Sequence, residues 1–103
     1  MHHWYKHDCI FKNEIVENSL TSKPYFWASY RFADCFIKTS NTIKLTIQFC
    51  FDTNFTEWKT LIEISIVDSF IYNEFATVAG WYRIIIDADV ETVVSVDLAL
   101  KNR

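Results

Sequence analysis

The sequence predicts an all-β protein, an antiparallel β-sandwich of about six to eight strands with jelly-roll or immunoglobulin-like topology. Three observations carry this expectation. Apolar and polar residues alternate without error from Thr42 to Phe51, the period of a strand with one buried face. Clusters of Asp, Asn, Ser and Thr recur along the chain roughly every ten residues, the spacing of turns between short strands. No segment makes a convincing long helix and no strand-helix-strand rhythm is present, which argues against the α/β classes. Size and composition agree: 103 residues, 50% of them apolar, can bury one core without disulfide or metal support. An aromatic content of 17% excludes a disordered linker, and one Gly and one Pro exclude collagen-like and low-complexity chains. No repeat or linker divides the chain, so residues 1–8 are expected as an N-terminal arm and residues 9–103 as a single sandwich domain.

From the N-terminus, Cys9-Ile10-Phe11 opens a stretch to Leu20 that reads as strand, although Phe11, Ile15, Val16 and Leu20 also fall at helical spacing. Tyr25 to Ile37 reads as one strand that is apolar on both faces, with Phe26, Ala28, Tyr30, Phe32 and Phe36 opposite Tyr25, Trp27, Ala33, Cys35 and Ile37. One of those faces needs a cover, either the N-terminal segment or another subunit. In Thr42 to Phe51 the set Ile43, Leu45, Ile47, Phe49 and Phe51 opposes Thr42, Lys44, Thr46, Gln48 and Cys50. The second set is polar enough to meet water, which predicts antiparallel pairing. Asp52 to Glu57 is a turn. Trp58 to Val67 alternates again, with Trp58, Ile62, Ile64 and Ile66 against Lys59, Glu63 and Ser65. Asp68-Ser69 ends it, and Phe70 to Phe75 forms a short strand or irregular edge before Gly80. Trp81 to Ile86 is β-branched and aromatic, Asp87 to Thr92 is a turn, and Val93 to Leu100 aligns Val94, Val96, Leu98 and Leu100. These last two runs are expected to form a C-terminal hairpin.

Ten Lys and Arg stand against thirteen Asp and Glu, a net charge of −3, and no polybasic stripe is available to neutralise phosphates, so nucleic acid is not an expected partner. No stretch approaches the roughly 18 apolar residues of a membrane helix, and the N-terminus lacks the apolar run of a secretory signal. The expected compartment is the cytoplasm, without membrane association. Cys9, Cys35 and Cys50 form no CxxC pair and are odd in number, which points to reduced thiols, those in strands acting as small hydrophobes.

Four groups of residues are candidates for chemistry. His2, His3 and His7, with Asp8 and Cys9 adjacent, carry ligand types for zinc, but they lie at the chain end, where four ligands lack an ordered scaffold. Asp87, Asp89 and Glu91 carry oxygens at alternate positions, without the Gly and the bidentate Glu of a calcium loop. No metal or other cofactor is therefore expected. Tyr25, Trp27, Trp58, Trp81 and Tyr82 are the rings most able to form a platform for a sugar. Such a site needs two outward aromatics with Asp, Asn or Arg beside them. Trp81 and Arg83 satisfy this locally, and Trp27 is the further candidate. No GxSxG, HExxH or Walker sequence is present and all three histidines are near the N-terminus, so the protein is expected not to be an enzyme.

The run Gly80-Trp81-Tyr82-Arg83-Ile84-Ile85-Ile86-Asp87, followed by Val93 to Leu100, resembles the small β-sandwich structural proteins of tailed-phage virions, the auxiliary or decoration capsid proteins and fibre domains. Its texture is also similar to that of jelly-roll galactose-binding and carbohydrate-binding modules. The first resemblance implies a non-enzymatic structural protein of a virion that docks on a larger protein assembly or forms a homo-oligomer. Surplus apolar area would be buried there through Trp4, Tyr5, Tyr25 and Trp27. The alternative is a carbohydrate-binding module that uses Trp27, Trp81 and Arg83.

Overall fold

Each alternating run becomes a strand, and the apolar side of each run turns toward one shared interior. A computed structural model describes residues 5–27 and 29–102, with strands β1 (Tyr5–Val16), β2 (Ser19–Thr21), β3 (Tyr25–Phe26), β4 (Phe32–Thr39), β5 (Ile43–Cys50), β6 (Lys59–Ile66), β7 (Ser69–Ala76), β8 (Trp81–Ala88) and β9 (Thr92–Lys101). One sheet has the order β1-β9-β4-β7 and the other β2-β8-β5-β6, with β3 also on β8. All pairings are antiparallel, so the chain is the expected sandwich.

The connectivity distinguishes between the two expected topologies. β1 pairs with β9, β2 with β8, β4 with β7 and β5 with β6. This nesting of first strand on last is the folded-over ribbon of a jelly roll. The strand count exceeds the expected six to eight because one strand is interrupted. β2 and β3 run along the same partner, Thr21 opposite Ile85 and Tyr25 opposite Tyr82, with Pro24 in the gap. A proline cannot donate to the ladder. Ser22 repairs the break: its amide donates to the Ile84 carbonyl (2.9 Å) and its Oγ accepts from the Ile84 amide (2.9 Å).

Three expectations are corrected. Trp81 to Ile86 and Val93 to Leu100 do not form a hairpin: β8 lies between β2 and β5, and β9 between β1 and β4, in opposite sheets. Both runs carry an unbroken apolar face, Tyr82, Ile84 and Ile86 on one and Val94, Val96, Leu98 and Leu100 on the other. The two faces close on the core from opposite sides, which buries both. Tyr25 to Ile37 is likewise not one strand. Its ends belong to different sheets, and Trp27 fills the interior between them with 0% exposure. The run reads as apolar on both faces because it crosses the core. Finally, residues 5–8 of the expected arm run in β1, with Tyr5 opposite Lys101 and Asp8 opposite Leu98; residues 1–4, with Trp4, lie outside the described residues.

The core centres on Trp27, Leu45, Ile47, Ile84, Ile86, Val96 and Leu98, all 1% exposed or less. Each such aliphatic side chain contributes about 1.5–3 kcal/mol by leaving water. Tyr82 brings a hydroxyl into this core. Its hydroxyl donates to buried Asp8 Oδ2 at 2.6 Å, so β1 and β8 are joined through the interior. Among the described residues no helix is long and apolar enough to cross a membrane.

Candidate functional site

β8 is an interior strand, and its side chains alternate. Tyr82, Ile84 and Ile86 enter the core, while Trp81, Arg83, Ile85 and Asp87 face outward, half-buried. Trp81 and Arg83 are thus held two residues apart in the middle of the five-stranded sheet's outer face. The neighbouring strands add to them in register. β3 sets Phe26 opposite Trp81, with ring centroids 5.0 Å apart, and β5 sets Gln48 opposite Arg83.

Trp58 reaches the same face through an irregularity. Ile47 pairs with Ile62 but Gln48 pairs with Thr60, which leaves Leu61 unopposed. This bulge reverses the parity of the strand. Trp58 therefore does not share the inward face of Ile62, Ile64 and Ile66. Its ring lies under Arg83, whose Cζ is 4.2 Å from the ring centroid.

The loop after β5 folds over the end of this face. The Asp52 carboxylate accepts from the Thr56 amide and from its hydroxyl, both at 3.2 Å, and these bonds hold the carboxyl below its usual range. The turn carries Phe55 in the left-handed region, φ 55°. Its ring stands edge-on to Trp81 at 5.3 Å and stacks with Trp58 at 6.1 Å, and its carbonyl accepts from Trp58 Nε1 at 3.0 Å. The outer face is therefore less open here than alternation alone predicts, and Cys50 is buried although it lies on the polar side of its strand. Gly80 permits the close approach: its φ is +110°, and a Cβ there would stand 2.5 Å from the Cys50 carbonyl oxygen.

Arg83 is the polar centre of the patch. Nε donates to Gln48 Oε1 at 2.8 Å, and Gln48 Nε2 donates to Thr60 Oγ1 at 3.5 Å. Partial burial lowers the guanidinium from its ordinary value. The Trp58 ring face compensates, a contact worth about 1–2 kcal/mol when partly desolvated.

The remaining candidates disperse. Trp27 is a core residue: its ring stacks on Tyr82 at 4.0 Å and meets Phe75 edge-on, so it reaches neither a sugar nor a partner. Its Nε1 has no hydrogen-bond partner among the described residues. Tyr25 is half-buried and stacks with the Tyr82 ring, 5.5 Å away. His7 and Cys9 are exposed, with His7 Nε2 3.2 Å from Asp97, whereas Asp8 points into the core. Strand alternation thus splits that trio, and His2 and His3 lie outside the described residues. Asp87 joins Lys44 at 4.0 Å on the outer face. Among the described residues no group of three His, Cys, Asp or Glu is placed to hold a metal.

A second surface lies on the four-stranded sheet. Phe36 and Ile71 pair across β4 and β7 and are 40% and 53% exposed. They line a shallow groove of about 510 Å³ with Phe70, Ser95 and Asp97.

No family model matches the sequence. No curated protein matches it either. Among solved structures, the crystal structure of PirA aligns with 94% of this chain and 92% of its own, at 12% identity and a TM-score of 0.47.

Proposed function

We propose that this protein is a non-enzymatic binding module that takes carbohydrate on the outer face of its five-stranded sheet. The observation that carries this reading is the grouping of Trp58 and Trp81 on one outward surface with Arg83 and Gln48 beside them. A pyranose has an apolar C–H face that stacks on an aromatic ring and hydroxyls that need planar donors and acceptors at the ring's rim. Arg83, Gln48 and Thr60 supply those groups. Their backbone positions belong to paired strands, so little ordering is required when a ligand arrives. A glycan array probed with the natural sequence and with Trp81→Ala tests the reading. Binding is expected for the former and its loss for the latter, while the variant keeps its fold. An array on which the natural sequence captures nothing would overturn it.

A second reading, a structural protein docking on a larger assembly or on further copies of itself, is favoured by the exposed Phe36, Phe70 and Ile71 of the other sheet. The resemblance to tailed-phage structural proteins belongs with this reading and would make the assembly a virion. Light scattering behind size exclusion, over a concentration series, tests self-association. A defined multimer that dissociates on Ile71→Glu supports it, and a 12.2 kDa monomer at all concentrations excludes self-assembly.

A further inference from the structure

One of the half-buried cations of this protein stands apart. Lys44 meets Glu63 and Asp87, Lys101 meets Asp34 and Glu74, and Lys6 meets Asp8. Among the described residues only two cations are half-buried and not exposed, Lys101 and Arg83. Lys101 has two carboxylates at 3.0 and 3.1 Å. Arg83 has none within ion-pair distance among the described residues.

The Arg83 side chain is nevertheless fixed. One face rests over Trp58 and Nε is held by Gln48. That leaves the two terminal nitrogens of the guanidinium, the fork that takes a carboxylate through two parallel hydrogen bonds. The guanidinium lies over Trp58, whose ring stacks with Phe55, and it is half-buried there, so partial exclusion of water strengthens a charge-assisted bond. A cation held in this way, without a counter-ion among the described residues, is complementary to an anion carried by the ligand.

Building on the carbohydrate reading, we propose that the ligand is an acidic sugar, a glycan bearing a uronic or sialic acid, and that Arg83 receives its carboxylate while the aromatic rings take the sugar face. Sulfate esters present the same charge with a different, three-oxygen geometry, so they are the alternative source of the anion.

The experiment is an array of neutral, uronate-bearing, sialate-bearing and sulfated glycans, probed with the natural sequence, Arg83→Gln, Arg83→Lys and Trp81→Ala. Each bound uronate or sialate is then re-tested as its methyl ester, which removes the charge and keeps the ring. The expected result is binding confined to carboxylate sugars, weakened at least about tenfold by the ester or by Arg83→Gln, and only partly restored by Arg83→Lys, which returns the charge but not the fork. Four outcomes overturn the assignment. They are binding of neutral glycans alone, binding of sulfated glycans alone, equal affinity for acid and ester, and binding indifferent to Arg83→Gln. Neutral glycans lost with Trp81→Ala but kept with Arg83→Gln would leave the carbohydrate reading standing. An empty array would remove both.

Discussion

Two aromatic clusters share strand β8 and differ in almost every consequence. Inside, Tyr82 stacks with Trp27 at 4.0 Å and with Tyr25 at 5.5 Å, and the Tyr82 hydroxyl donates to Asp8. Outside, one residue earlier and one later in sequence, Trp81 meets Phe26 tilted and Phe55 edge-on, and Arg83 lies over the Trp58 ring. At the centre of the inner cluster Trp27 and Tyr82 are fully desolvated, and the Tyr82 hydroxyl is paired within the chain. The outer cluster is half-buried and ends in a cation with donors to spare. Similar residues are therefore sealed into the core on one side of a strand and left partly open to solvent on the other, and the difference arises from what lies across each face.

The largest effect that would break this comparison is expected at Trp27. Trp27→Ala should cost about 3–5 kcal/mol, read as a shift of the urea midpoint, since a large ring leaves a sealed interior. Next comes the buried hydrogen bond. Asp8→Ala should cost about 1–3 kcal/mol because the Tyr82 hydroxyl is left without a partner, and the double variant with Tyr82→Phe should cost less than the sum of the two single changes. A truncation through Asp8 would act in the same way, so it reports stability and not the loss of a free arm.

A smaller effect is expected in alkali. Burial raises the Cys35 thiol from 9.0 to about 12, so above pH 9 the unfolded chain releases a proton that the folded chain retains. Stability is complete below that value and declines as pH rises toward 12. The loss is about 1 kcal/mol by pH 10. Tyr82, raised by burial and by its bond to Asp8, adds the same sign above its ordinary value of 10.0. Urea midpoints at pH 8 and pH 10 under reducing conditions check this, and Cys35→Ala should flatten the slope. The smallest change in stability belongs to Trp81→Ala, no more than about 1 kcal/mol, with ligand binding lost. A Trp81 loss as large as that of Trp27 would place both rings in one structural unit and remove the contrast.

Much of the outer face is legible in the sequence. The i, i+2 spacing of Trp81 and Arg83 on a strand gives them one face, and the alternation of Thr42 to Phe51 assigns Gln48 to the polar side. Trp58 was misplaced because parity was counted through Leu61, where the bulge inserts one residue. Nothing local signals that bulge, which is set by the register between β5 and β6. Phe26 and Phe55 went unnoticed because one depends on which strand pairs with β8 and the other on a turn that bends back over the sheet.

The amino-acid sequence by itself determined that this chain is an antiparallel β-sandwich, because side-chain period and turn residues act over a few neighbours and both repeat along the chain. It also determined which side of most strands is apolar. Which strands lie side by side was decided only by tertiary structure. The link from β8 to β9 has the residues of a hairpin turn yet crosses between sheets, and the run from Tyr25 crosses the core at Trp27. Both choices maximise the burial of two apolar faces against each other, a property of pairs of distant segments that no single segment encodes.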